Sequence, residues 1–152
     1  MRKTIRLIVI CALVVLPGIS IAGERFDGNW FTKMTCPPKG KTEGYSWQFP
    51  GVVKGSNFRG ERGTAGEPGY LLLEGPIADN GSAKLTANGV VASREYARGV
   101  FAHKGEEYSY DVKAHFGDTQ GTGTRDQGLG IVGRTCTFEF IKQQGSGQAA
   151  GH

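Results

Sequence analysis

The chain has 152 residues, 38% of them hydrophobic and 10% aromatic, with 18 Lys and Arg against 14 Asp and Glu for a formal net charge of +4. Arg2, Lys3 and Arg6 supply three of those basic residues and no acid lies within the first 22, so the remainder carries 15 against 14, a net +1. Charges so balanced and intermixed exclude nucleic acid as a partner, because that requires clustered Lys and Arg. The 25 glycines argue against a helical bundle.

Residues 1–22 read as a secretory signal peptide: a basic start, an apolar run from Leu7 to Pro17, and the small-residue exit Ser20-Ile21-Ala22. The run is shorter than the ~20 residues of a spanning helix, so cleavage after Ala22 is expected to leave no transmembrane segment. Residues 23–142 read as a single domain, within the usual ~100–150 residue range. Residues 143–152 lack apolar anchors and read as a flexible C-terminal tail. Cys11 leaves with the leader, so Cys36 and Cys136 remain. In an oxidising compartment an even pair reads as an intramolecular disulfide, against two free thiols or an intermolecular bond. Leader and bridge together point to a bacterial periplasm or the medium.

Period-2 alternation predicts the strands. Trp30, Thr32, Met34 and Cys36 share one face of the first. Tyr45, Trp47 and Phe49 form an aromatic face that Pro50-Gly51 is expected to interrupt, followed by short strands at 52–54 and 57–60 around a turn at Gly55-Ser56. Residues 70–73, extending toward Ile77, are more continuously apolar. Asp79-Asn80-Gly81 and Asn88-Gly89 read as hairpin turns flanking a strand of Ala83, Leu85 and Ala87. A strand is expected near Tyr96 to Ala102, then a turn at Lys104-Gly105. The clearest alternation follows, Tyr108, Tyr110, Val112, Ala114 and Phe116, and a closing strand spans 131–142. Seven to nine short antiparallel strands make an all-β meander. Closure into a small up-and-down barrel of about eight strands would remove its edges; a two-sheet β-sandwich is the alternative.

No catalytic constellation and no metal site emerge. Gly128-Leu129-Gly130-Ile131-Val132-Gly133 has the letters of a dinucleotide loop, but the residues after it are β-like and offer no helix to receive a pyrophosphate. His103 and His115 stand on different predicted strands and lack metal-ligand spacing. Glu106-Glu107 flank a turn and Glu74 is isolated, which makes a carboxylate pair for acid and base work a poor reading. Asn80-Gly81-Ser82 spells a glycosylation sequon that turn chemistry already explains. No cofactor is expected.

Two glycine-rich, bicharged stretches, 59–69 and 117–126, read as surface loops, and Arg59 and Arg62 are candidates for recognising an anionic group. Among the aromatics, Tyr45, Trp47 and Tyr110 are candidates for a ligand cup, with Tyr70 and Tyr108 as possible companions. The competing role for all of these rings is filling the core.

Gly28-Asn29-Trp30, at the start of the first strand, resembles the G-x-W signature of the calycin barrels, the group that includes lipocalins and avidins. The resemblance implies that Trp30 plugs one barrel end and that an arginine from a late strand packs across it, a role Arg134 would take. Periplasmic metalloprotease inhibitors of bacteria are similar in outline, being small secreted barrels with an early G-x-W and a disulfide. The lipocalin T-D-Y motif, the biotin-site pattern of avidins and the inhibitors' closely spaced cysteines do not occur here, so the resemblance implies no particular ligand or protease. The expected function is an exported, non-enzymatic binding domain for an unknown small molecule or protein. A protease inhibitor inserting residues 23–27 or a loop is one alternative, and a secreted enzyme whose site assembles only in the fold is another.

Overall fold

Strands whose alternate residues are apolar must bury one face, and this chain does so by curling its sheet completely onto itself. The computed structural model describes residues 25–95, 103–125 and 134–144. It contains β1 (Gly28–Cys36), β2 (Tyr45–Lys54), β3 (Asn57–Arg62), β4 (Leu71–Pro76), β5 (Ser82–Val90), β6 (Glu107–Phe116), β7 (Gln120–Arg125) and β8 (Cys136–Lys142). Each strand pairs antiparallel with the next and β8 pairs with β1, which closes an eight-stranded up-and-down barrel rather than a sandwich. The leader, the strand expected near Tyr96 to Ala102, the glycine run at 128–133 and the tail beyond Gln144 lie outside the described residues. Among those described, no helix is long and apolar enough to cross a membrane.

An eight-stranded barrel has an interior just wide enough for side chains to fill. Here one end is filled by rings. Trp30 meets Phe116 edge-on at 5.3 Å, Phe140 lies 4.7 Å from Phe116, and Phe58 is within 5.5 Å of both phenylalanines. Phe26 is fully buried before β1, and its carbonyl accepts from Trp30 Nε1 at 2.9 Å. Glycines make room for these rings. A Cβ on Gly51 would stand 2.7 Å from the Phe58 ring, and one on Gly121 would stand 3.3 Å from Phe116. Above the rings, Met34, Leu71, Leu73, Leu85 and Val112 all have 0% exposure, so no water-sized void reaches them.

The same glycines explain where pattern and structure part. β2 runs straight through Pro50-Gly51, because Gly51 faces inward beneath Phe58. The stretch 117–126, expected as a loop, is largely strand β7, whose inward residues Gly121 and Gly123 face Phe116 and Val112. Asn88-Gly89 is not a turn either: both residues lie inside β5, and Gly89 is inward opposite Tyr108. The closing strand begins at Cys136, later than expected.

Hairpins at the ring-filled end are short. Gly55 and Ser56 both have positive φ, 57° and 60°, the geometry of a two-residue type I′ hairpin turn. Asp27 accepts from both of their N–H groups, at 2.8 and 3.2 Å. At the next hairpin, Asn80 Oδ1 accepts from the Ser82 N–H at 2.9 Å, the side-chain turn chemistry of that tripeptide. At the opposite end the described connections are longer, spanning 37–44 and 63–70.

Candidate functional site

The long-loop end gathers a second set of rings, held inward by strand alternation and at one level by register. Cys36 pairs opposite Tyr45, Met34 opposite Trp47, Arg62 opposite Leu71, Gly89 opposite Tyr108, and Arg125 opposite Cys136. Tyr45 and Trp47 are 4.9 Å apart, and Tyr108 stacks on Tyr110 at 5.7 Å. The Tyr110 hydroxyl donates to Met34 Sδ at 3.7 Å, which sets the floor of the mouth against the filled core. Gly89 leaves space for Tyr108: a Cβ there would lie 2.4 Å from the phenol oxygen. Tyr108 also borders an outer cleft of about 500 Å³ lined by Gly66, Tyr70, Asn88, Glu107 and Ser109.

Three guanidinium groups lie on these rings. Arg62 sits 4.2 Å from the Trp47 centroid, Arg125 3.5 Å from Tyr110 and Arg134 4.9 Å from Tyr45. Arg62 donates to the Gly69 carbonyl at 2.6 Å, and Arg134 donates to the Glu43 and Pro37 carbonyls at 2.7 and 3.4 Å. Arg125 Nε is buried without a hydrogen-bond partner. Burial raises the Tyr108 hydroxyl to about 12, with Tyr45 adding to the shift and Arg125 and Arg62 opposing it. Tyr110 is pushed up further, again chiefly by burial and against Arg125. Both phenols therefore remain neutral donors at any ordinary pH.

Of the residues singled out in the sequence, Tyr45, Trp47, Tyr110 and Arg62 meet at this mouth. Arg59 does not. It lies on the outer wall, 2.8 Å from Glu74 and 3.3 Å from Glu61. Tyr70 is outside as well, its hydroxyl donating to Glu61 at 2.7 Å. That hydrogen bond holds the Glu61 carboxyl below its usual value, against desolvation and with help from Arg59.

Arg134 requires a correction. It is buried at the mouth over Tyr45 and is not the cation across Trp30. At about 3.3 Å per residue, the chain from Arg134 to Lys142 traverses the height of the barrel. It is Lys142 that reaches Trp30, with Nζ 5.9 Å from the ring and donating to the Arg25 carbonyl at 3.1 Å. Cys36 and Cys136 form the disulfide, joining β1 and β8 just past their last paired residues, Thr35 and Thr137.

Arg125 escaped the sequence reading, though Gly121, Gly123 and Arg125 do alternate; two glycines in that pattern look like a loop. The inward residues of the eight strands at this end include no carboxylate, imidazole or free thiol. Among the described residues no three His, Cys, Asp or Glu side chains are grouped to hold a metal ion. Of the segment 23–27, expected as an inhibitory insert, the described residues 25–27 are anchored at the opposite end. Arg25 pairs with Asp118, Phe26 is buried and Asp27 caps a turn.

Fold and site together define a closed eight-stranded up-and-down barrel, filled at one end and carrying an aromatic, arginine-lined mouth at the other. No family model, curated protein or solved structure matches the chain.

Proposed function

We propose that this protein is an exported, non-enzymatic binding domain that holds a small ligand at the mouth formed by Tyr45, Trp47, Tyr108 and Tyr110. The observation that carries the reading is the contrast in exposure: these rings are half-buried, whereas the rings at the other end are sealed. Half-buried aromatic groups beside a few oriented polar donors are what small-molecule sites are made of. The filled interior means that a ligand sits in the mouth and does not thread the barrel. The disulfide is compatible with an oxidising compartment, and with the leader it favours the periplasm or the medium.

Native mass spectrometry of the protein purified from its own compartment tests this reading. A small mass released on denaturation, and lost in a Trp47→Ala variant, is the expected result. A bare monomer, together with a co-purifying protein retained by the long loops, would transfer the function to a protein partner. The same filled interior favours that second reading, because the longer connections at 37–44 and 63–70 emerge at this end.

A further inference from the structure

Several charges on the outer wall have partners of opposite sign. Lys33 faces Glu139 at 3.8 Å, Lys84 faces Asp111 at 2.7 Å, and Arg59 faces Glu61 and Glu74. Inside the mouth the pattern reverses. Among the described residues Arg62 and Arg125 have no carboxylate partner; each guanidinium stands over a ring, and Arg62 also donates to the Gly69 carbonyl. A ring over a guanidinium face takes up none of its in-plane N–H donors. In Arg125 one of those donors, Nε, is buried and unpartnered. Leaving a buried donor on a cation unmade is costly, and three guanidinium groups at one barrel end add repulsion.

From this we infer that the mouth is a receptor for the carboxylate of a small aromatic acid, gripped by Arg62 and Arg125 with the Tyr108 hydroxyl as a further donor. The inference rests on the proposed function and narrows its ligand class. Guanidinium is the side chain best suited to a planar two-oxygen anion, because its donors form a matching fork. The body of the ligand would lie against the rings. Tyr108 belongs both to the mouth and to the cleft of about 500 Å³ beyond Gly89, which is where a body larger than one ring would extend. Glu107 on that cleft is the reason for placing the anionic end of the ligand inward and its neutral end outward. A bare inorganic oxyanion would use the guanidinium donors and leave the rings unused, so it should bind more weakly.

The test uses the mature, disulfide-bonded protein and three probes, 2-naphthoate, 2-naphthamide and inorganic phosphate, followed by titration calorimetry and by quenching of tryptophan fluorescence. The acid should bind at least about tenfold more tightly than the isosteric amide and than phosphate, and that preference should shrink as salt is raised. Arg125→Gln and Arg62→Gln should each abolish most of the preference, whereas Lys84→Gln on the outer wall should leave it intact. The acid-to-amide ratio and its salt dependence are read on the unaltered protein, so they decide the matter even where a variant fails to fold. Equal binding of acid and amide would overturn the carboxylate receptor while leaving the aromatic cup in place. Phosphate binding as tightly as the acid would overturn the role of the rings. Absence of binding by all three would overturn the inference, and with a ligand-free native mass spectrum it would remove the cup as well.

Discussion

Where β1 begins, the barrel is sealed by Phe26, Trp30, Phe58, Phe116 and Phe140, all at 1% exposure or less, and its hairpins are short. Where β1 ends, the inward rings are Tyr45, Trp47, Tyr108 and Tyr110, half-buried, three of them with a guanidinium group over the ring. Both ends are aromatic, so ring content alone separates nothing. The difference is in the partners of the rings. Phenylalanine against phenylalanine, with glycine spacers, makes a dry filling, while tyrosine and tryptophan against arginine keep donors at a surface that water can reach.

The largest effect expected from breaking this arrangement comes from the bridge that ties the mouth. Cys36 and Cys136 are 100 residues apart in the chain. Closing a loop of that length restricts the unfolded chain by about 4 to 5 kcal/mol in the chain-entropy description. Replacing both cysteines with serine should lower the stability measured by guanidinium unfolding by up to that amount. An unchanged midpoint would mean that strand pairing alone holds β1 to β8.

Next come the two tryptophans, which compare the ends directly. Trp30→Ala should cost about 3 to 5 kcal/mol, the usual range for deleting a sealed aromatic group. Trp47→Ala should cost about half as much, because its ring is already partly wet, and should instead remove ligand binding. Equal losses of stability in the two variants would show that the mouth is core by another name.

The phenols give a third and smaller contrast, in alkali. Tyr108 is raised from 10 to about 12, chiefly by burial. In the unfolded chain the same group loses its proton near 10, so the folded form holds the extra proton between those values. Its contribution is therefore complete below pH 10 and is lost as pH rises toward 12, by up to about 2 to 3 kcal/mol. Tyr108→Phe should flatten that part of the stability profile, measured by thermal melts across the range. A profile unchanged by the substitution would show that Tyr108 is solvated in the folded protein.

How much of this contrast was legible beforehand depended on which residues bear side chains. Trp30, Thr32, Met34 and Cys36, or Tyr108 to Phe116, display their inward face through simple alternation, and the closed barrel agrees with them. β7 hides its inward face because that face is glycine, and glycine at inward positions has the same letter as glycine in a turn. Gly89 misleads for the same reason: it is absent side chain making space for a phenol, and Asn88 beside it completes a turn signature the strand does not use. The separation of Arg62 from Arg59 also needed three dimensions. Both stand on β3, three residues apart, so parity sends one inward and the other outward, and only the strand boundary fixes which.

The smallest effect expected lies between the ends. Thr32 is inward on β1, paired opposite Phe49 and Phe140, fully buried, and its hydroxyl has no hydrogen-bond partner. An unsatisfied buried hydroxyl costs about 1 to 3 kcal/mol. Valine keeps the β-branched shape that suits a strand and removes the orphaned oxygen. Thr32→Val should therefore raise stability by about 1 kcal/mol, read as a higher melting temperature, with ligand binding at the mouth unaffected. A fall in melting temperature would mean that the hydroxyl is satisfied by a water buried in the middle of the barrel. The dry layer separating the sealed end from the wet one would then be breached, and a ligand could reach deeper than the Tyr110 floor allows.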